Sequence, residues 1–346
     1  EESFTEYDGH VPEAGSFLNP FDIQRGIVLS AKKLSRMGSN PFDFFLEEAL
    51  GLETPPYHEP GIHPWLDPLV EGSLLHRLFQ ALTEALSPRD GKPPPLKEAM
   101  ELAETLLDKE FSLLEKLIPP VGRGVKERKR GEYLHIVRVF LENLYHLLER
   151  DIRVFPETAY GISGLPPGRT AQEEPVVVAL AEGRQIRLRG VVDAVELDTK
   201  SRRCRVCDYK TGSRSRYDWK DPFRKGRDLQ PIVYSLLVEE GGLPGLENRV
   251  QVSEFQYLFV GPGGLGEAHR WDRGDLEVGK SLLLELADMI EQGMFPVSPD
   301  QEDLEFSPYL EVHEEPWAAR EKTRKLKEHD ETLAPLRRLR GGQGGA

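Results

Sequence analysis

Two carboxylates and a lysine stand at a spacing that could hold a metal ion. Asp193 ends the run Gly190-Val191-Val192-Asp193, and Asp208 opens Asp208-Tyr209-Lys210-Thr211-Gly212. The stretches Gly190 to Leu197 and Cys204 to Gly212 are rich in β-branched residues and predict two short strands joined by a tight turn. Alternate residues of a strand share a face, so Asp208 and Lys210 point the same way. A two-residue loop at Lys200-Ser201 would set Asp193 directly opposite Asp208, and Val191 opposite Lys210. Opposed side chains have Cβ atoms about 4.5–5.5 Å apart. Two carboxylates that close repel, and one is driven to hold a proton. A hard divalent cation with oxygen ligands removes the conflict. Such a cation can polarise a phosphodiester and lower the pKa of a bound water. An ammonium two residues on can orient that water or stabilise charge on a phosphorane. Taken alone, Asp-x-Lys is common and also fits an ordinary surface hairpin.

The rest of the chain predicts the scaffold. Residues 1–26, rich in Gly, Pro and acids without a clear period, read as an extended entry segment. Ser30 stands as an N-cap, with Leu34 and Met37 on one helical side. Asn40-Pro41-Phe42 starts a second helix with Pro41 in its first position, ending near Gly51; a Pro-rich connector runs from Pro55 to Pro68. Leu74, Leu75, Leu78, Phe79, Leu82 and Leu86 make one apolar stripe and predict a helix over about 70–87, with His76 just off the stripe. Further helices are expected over about 96–117 and, after a basic run at 121–130, over about 131–150. Strand-like segments follow at 154–160, 176–181, 185–197 and 203–209. A helix over about 227–240, strands at 251–260 and near 267–271, and a helix over 275–292 complete the pattern. This order describes an α/β protein, a mixed β-sheet flanked by helices behind a helical N-terminal cap. One domain is expected over 27–313, with 27–152 mostly helical and 153–297 the α/β catalytic core. A charged, partly disordered tail over 314–346 ends in Gly341 to Gly345.

Composition limits the partners. No apolar run approaches the ~18 residues of a membrane span, and the sequence shows no basic-then-apolar leader of a secretory signal. The two cysteines, Cys204 and Cys207, rule out a disulfide framework, so a reducing, cytoplasmic setting is the simplest reading. Their spacing on a strand puts the thiols on opposite faces and argues against joint metal binding. The net charge of −14 argues against indiscriminate nucleic-acid binding. Local basic tracks remain: residues 201–228 hold ten Lys/Arg against four Asp, and 121–130 hold five against one Glu. Either run fits a solvated face equally well.

These residues resemble the PD-(D/E)XK nuclease superfamily, in particular the RecB/AddB-type nuclease domains of bacterial helicase–nucleases. That pattern is Gly-x-(Ile/Val)-Asp, then Asp-Tyr-Lys-Thr-Gly, then Gln-x-x-x-Tyr on a helix. It is matched by Gly190 to Asp193, by Asp208 to Gly212, and by Gln230-Pro231-Ile232-Val233-Tyr234. Upstream, Gly72-Ser73-Leu74-Leu75-His76 stands where the family places a metal-binding histidine. The resemblance implies a restriction-endonuclease-like fold, with His76, Asp193 and Asp208 as ligands of Mg²⁺ or Mn²⁺ and Lys210 as the catalytic lysine. Gln230 and Tyr234, four apart, share a helix face, which the resemblance implies lies beside that centre and contacts it or the DNA backbone. Glu157 sits where these nucleases often keep an acid, with its role left open. The implied activity is DNA hydrolysis at single-stranded or duplex ends, in repair or recombination, beside a helicase domain or subunit.

One departure is informative. AddB-type relatives carry Cys-Pro-Phe where this chain has Asn40-Pro41-Phe42, and three more cluster cysteines after the last core helix. Pro299 to His313 contains none, so no iron–sulfur cluster is expected. Packing around Phe42, Phe44, Phe45, Phe306 and Tyr309 is expected to hold the two ends instead. The chain starts at Glu1, and Tyr7-Asp8-Gly9-His10 looks like the junction after a helicase-like body, so it reads as the C-terminal part of a longer protein. Two other functions compete. One is a catalytically silent DNA-binding or scaffolding module of a helicase complex. The other is an ATPase using Gly274 to Ser281, which has P-loop spacing but reads better as part of an amphipathic helix.

Overall fold

The structure is a computed structural model that describes residues 4–53, 65–87, 93–165, 169–212, 214–217, 221–247, 249–298, 300–313 and 334–339. The helical part begins with α1 (Pro12–Leu18), α2 (Ala31–Ser39) and α3 (Pro41–Glu48). It continues with α4 (Pro68–Leu86), α5 (Leu96–Leu117) and α6 (Arg123–Leu148). The starts follow from capping chemistry. Ser30 Oγ accepts from Lys33 N at 3.3 Å, and Asp67 Oδ1 accepts from Leu69 N and Val70 N at 2.9 Å. Pro41 and Pro68 occupy first turns, where their missing N–H leaves no bond unmade.

The strands are β1 (Ile152–Tyr160), β2 (Thr170–Gln172), β3 (Val176–Ala179), β4 (Gln185–Leu188), β5 (Gly190–Asp198) and β6 (Arg203–Lys210). Then come α7 (Gln230–Gly241), β7 (Gln251–Phe259), β8 (Glu267–Trp271) and α8 (Arg273–Glu291). Two short helices, α9 (Gln301–Glu305) and α10 (Ala334–Leu339), close the described chain. The six-stranded sheet has the order β2-β1-β5-β6-β7-β8, and β3 and β4 pair separately. β6 and β7 run parallel while β5 and β6 run antiparallel, so the sheet is mixed.

Each sheet face buries its own apolar cluster. Leu34 of α2, Leu236 and Leu237 of α7, and Leu283 of α8 pack with Val195, Cys204 and Val206. On the other face Leu75 and Phe79 of α4, Phe111 of α5 and Phe140 of α6 pack with Ala194, Cys207 and Tyr209. Cys204 and Cys207 thus lie on opposite faces, as the strand period requires. The rings of Phe79 and Phe140 stack at 4.3 Å and meet Tyr209 edge-on, which fastens α4, the helix of His76, to β6, the strand of Asp208.

Several boundaries differ from expectation. The entry segment is not extended: it forms a 3₁₀ turn at Glu6–Asp8 and then α1, and Phe295 N donates to Gly9 O at 2.7 Å. A seven-residue helix is too short to show a period. Helix α6 starts within the basic run because Lys, Arg and Glu are good helix formers and the acids of α5 and α4 neutralise them. Lys126 pairs with Glu115 and Lys129 with Glu71, each at 2.6 Å, and Arg130 pairs with Asp108 at 2.7 Å. Three of the five cations in that run are therefore already paired with acids of α4 and α5. The expected strand 185–197 is two strands separated by Arg189, and α7 begins only at Gln230. The hairpin turn spans four residues, 199–202, with Arg202 left-handed and the Asp198 carboxylate accepting from Lys200 N and Ser201 N.

The ends are held by aromatic stacking and by a polar group. Phe44 and Phe45 stack on Phe295 at 6.2 and 5.4 Å. Asn40 Oδ1 accepts from Ser298 N at 2.9 Å, His313 Nε2 lies 2.9 Å from Asp43 Oδ1, and Tyr309 Oη donates to Leu52 O at 2.7 Å. Phe306 takes no part; it is exposed. Within the expected tail, α10 belongs to the core: Leu339 is buried, and Arg338 pairs with Glu285 of α8 at 3.0 Å. Gly341 to Gly345 lie outside the described residues. Gly274 to Ser281 lie inside α8, which a reciprocal cap between Asp272 and Asp275 opens, so no phosphate-binding loop forms there.

Candidate active site

The β5–β6 ladder runs from Leu197↔Cys204 to Ala194↔Cys207 and stops there. The register is the expected one, but Asp193 and Asp208 stand one step past the last bonded pair. Tyr209 N donates to the Asp193 side chain, at Oδ2 and 2.9 Å, in place of a strand carbonyl. Val191 pairs with Ala159 of β1 and Lys210 with Phe259 of β7, so these two do not face each other across a ladder. The strands part where the two acids project, which opens room between them for a cation.

Three groups converge on one side. His76, from the middle of α4, places Nδ1 3.4 Å from Glu157 Oε1 and 3.4 Å from Asp193 Oδ1. Glu157 lies on β1, next to Pro156, at φ 45°. Left-handed backbone is uncommon for a residue with a Cβ, and the β1–β5 pairing is interrupted there, between Pro156↔Ala194 and Thr158↔Val192. Burial pulls the His76 imidazole down, but its hydrogen bonds to Asp193 and Glu157 outweigh this and hold it up at about 11. A proton on His76 thus supplies the positive charge that the acids demand.

Asp208 and Lys210 form the other side. Asp208 is almost fully buried, and its Oδ1 accepts from Gln230 Nε2 at 2.7 Å. Its Oδ2 lies 2.7 Å from Lys210 Nζ, yet that contact is an ion pair without hydrogen-bond alignment, so Oδ2 has no aligned donor. Burial, then the charge of Asp193, pushes the Asp208 carboxyl up to about 7 against the pull of Lys210. Burial alone would lower Lys210, but the Asp208 charge holds it above its usual value. Lys210 Nζ also donates to Gln230 Oε1 at 3.0 Å and sits 4.3 Å from the centre of the Tyr257 ring. Gln230 opens α7, and its Nε2 reaches Tyr234 Oη, one turn on, at 3.1 Å.

These residues fit a hard divalent cation. One ligand atom each from His76, Glu157 and Asp193 lies within 4.8 Å of the others. Oxygen-rich donors with one imidazole suit Mg²⁺ or Mn²⁺, and Asp208 Oδ2, already 2.7 Å from Lys210 Nζ, has a second lone pair to offer such a cation. The set differs from the expected His76, Asp193 and Asp208: Glu157 stands in the close group and Asp208 stands across from it.

The sequence profile of the PD-(D/E)XK nuclease superfamily matches residues 28–334. The chain belongs to that superfamily. No individual curated protein matches it. PD-(D/E)XK nucleases use divalent metals, and the six-stranded mixed sheet flanked by helices is the restriction-endonuclease-like fold. The matched span includes the helical part that carries His76 as well as the sheet. Beside this PD-(D/E)XK centre lies a groove of about 550 Å³, lined by Gly72, Ser73, His76, Gln80, Glu157 and Arg169 among others. A cavity of about 740 Å³ lies elsewhere, at α2 and the loop 221–229. Its three arginines are already paired, Arg36 with Glu47, Arg224 with Glu302, and Arg227 with Asp300 and Asp303. Among the described residues, no helix is long and apolar enough to cross a membrane.

The motifs located six of the residues at this centre. Glu157 fell outside them because its motif is loose. Tyr257 and Asp228 went unnoticed because a tyrosine in an apolar strand and an acid before a helix carry no signal until folding brings them to Gln230.

Proposed function

We propose that this PD-(D/E)XK protein is a Mg²⁺- or Mn²⁺-dependent deoxyribonuclease. The observation that carries the reading is the opposition of His76, Glu157 and Asp193 to the Asp208–Lys210 ion pair. A bound cation would supply Lewis-acid polarisation of the phosphodiester and a water of lowered pKa. Glu157, Asp193 and His76, once its imidazole gives up its proton, would hold it, with Asp208 the further ligand. Lys210 carries a fixed positive charge to the attacking water or the phosphorane oxygens. Gln230 keeps Lys210 and Asp208 in place, and Tyr234 holds the amide from its far side. Water adds to phosphorus, the P–O ester bond breaks, and the leaving oxygen takes a proton.

Within that reading, the ordered matches to the RecB/AddB pattern support an exonuclease acting on DNA ends. It would be the cytoplasmic nuclease module of a helicase–nuclease in double-strand-break repair, of a branch without the cluster cysteines. The test is purified protein with Mg²⁺ or Mn²⁺ on end-labelled linear DNA, single- and double-stranded, and on circular DNA. Linear substrates should be degraded and circles spared. Asp208→Ala and Lys210→Ala should lose cleavage; wild-type rates in either variant would sink the assignment.

A further inference from the structure

Behind Lys210 and Gln230 lies a second tier of buried polar groups. Tyr257, on β7, has its Oη 2.8 and 3.0 Å from the two carboxylate oxygens of Asp228 and 3.1 Å from Gln230 Oε1. Its ring supports the Lys210 ammonium from below. Asp228 closes the loop that leads into α7, two residues before Gln230.

Hydrogen counting decides how this group is wired. Gln230 Oε1 faces Lys210 Nζ, which can only donate, while Gln230 Nε2 faces Asp208 Oδ1 and Tyr234 Oη. Turning the amide over would set its NH₂ against the ammonium and its oxygen against the carboxylate, so its orientation is fixed. Tyr257 has one hydroxyl hydrogen and two acceptors before it. With Asp228 neutral, Asp228 donates to Tyr257 Oη and Tyr257 donates to Gln230 Oε1, so every donor finds an acceptor. With Asp228 ionised, the Tyr257 hydrogen turns to the carboxylate and two oxygens oppose each other at 3.1 Å. Burial pushes the Asp228 carboxyl up, in the same sense as the count, against its bond with Tyr257, the charge of Lys210, the backbone N–H of Gln230 and the charge of Arg224.

We infer that Asp228 and Tyr257 are positioning residues of the hydrolytic site. They form a donor chain, Asp228 to Tyr257 to Gln230, that sets the Gln230 amide and through it Asp208 and Lys210. The inference rests on the deoxyribonuclease reading. Neither residue touches the reacting phosphate; both act through Gln230. Misplacing a catalytic group slows the chemical step far more than it weakens substrate binding.

The test compares kcat, KM and Tm of wild type, Tyr257→Phe, Asp228→Ala and Asp228→Asn on a labelled oligonucleotide with Mn²⁺. Tyr257→Phe keeps the ring under Lys210 and removes only the donor. In Tyr257→Phe and Asp228→Ala, kcat should fall roughly tenfold with KM within about twofold. Asp228→Asn still donates to Tyr257 Oη and should recover kcat to within about threefold of wild type. A kcat unchanged in Tyr257→Phe, or an Asp228→Asn as slow as Asp228→Ala, overturns the chain. If Asp228→Ala does not fold, the Phe and Asn variants still decide. A wild type that does not cleave refutes the deoxyribonuclease reading instead. Hydrogen exchange of the Gln230 side-chain amide, followed by ¹⁵N NMR without metal, then tests the chain alone. Exchange should be faster in Tyr257→Phe, and equal exchange overturns the inference.

Discussion

Asp208→Asn should stabilise the metal-free protein while it abolishes hydrolysis. Asp208 is 2% exposed, and burial with the charge of Asp193 raises its carboxyl from 3.8 to about 7. The attraction of Lys210 is already contained in that net displacement. At about 1.4 kcal/mol for each tenfold change in proton affinity, the displacement is worth roughly 4 kcal/mol. The sign follows from linkage. The folded state binds this proton more tightly than the unfolded chain does. The stability it contributes is therefore fully present below pH 3.8 and is lost as pH rises through about 7. Asparagine keeps the shape, still accepts from Gln230 and does not titrate, but it turns an NH₂ toward the Lys210 ammonium, so the full displacement is a ceiling on the gain. In EDTA at pH 8, Asp208→Asn should exceed wild type by up to about 4 kcal/mol and melt several degrees higher; near pH 4 the two should agree. Added Mg²⁺ should stabilise wild type by mass action and the variant much less, so the gap narrows. Calorimetry at both pH values, with EDTA and with Mg²⁺, reads all of this. A variant less stable than wild type at pH 8 in EDTA, or a gap that does not depend on pH, would refute the account of an Asp208 charge disfavoured by burial and by Asp193 when no metal is bound.

Three other variants test the remaining contacts. Glu157→Gln removes a charge from the close ligand group and should weaken Mn²⁺ binding by roughly tenfold or more in calorimetric titration; unchanged affinity would take Glu157 out of the ligand set. His313→Ala strips the buried Asp43 carboxylate of its 2.9 Å partner and should lower stability by about 1–3 kcal/mol in urea unfolding. An unaltered midpoint would mean that this polar fastening adds nothing to closure of the ends. Gly38→Ala would place a Cβ 1.9 Å from the carbonyl oxygen of Gly226. It must push α2 off the loop that carries Asp228, at about 1–3 kcal/mol, and a variant as stable as wild type would disprove that close approach.

Much of the centre was legible because its parts are local in sequence. Asp208 and Lys210 share a face by the period of the strand, and Gln230 and Tyr234 by the period of the helix. Helix starts at Ser30 and Pro41 were legible for the same reason: a cap is a contact between residues three or four apart. The exposed position of Phe306 was not, because an isolated aromatic reads as core whether or not a wall exists for it to meet. The start of α6 was hidden because ten residues rich in Lys and Arg look like a solvated loop until Glu115, Glu71 and Asp108 are seen beside them.

The amino-acid sequence by itself determined most of the elements, the hairpin register and a short ordered set of residues: His76, Asp193, Asp208, Lys210, Gln230 and Tyr234. Tertiary structure alone decided that the ladder ends one step before the acids, that Glu157 joins His76 and Asp193, and that Tyr257 and Asp228 stand behind Gln230. The physical reason is range. Strand and helix periods are set by neighbouring residues, whereas the partner of an acid is set by which strands pair. β1 reaches β5 and β7 reaches β6 only when the sheet closes over its two apolar clusters.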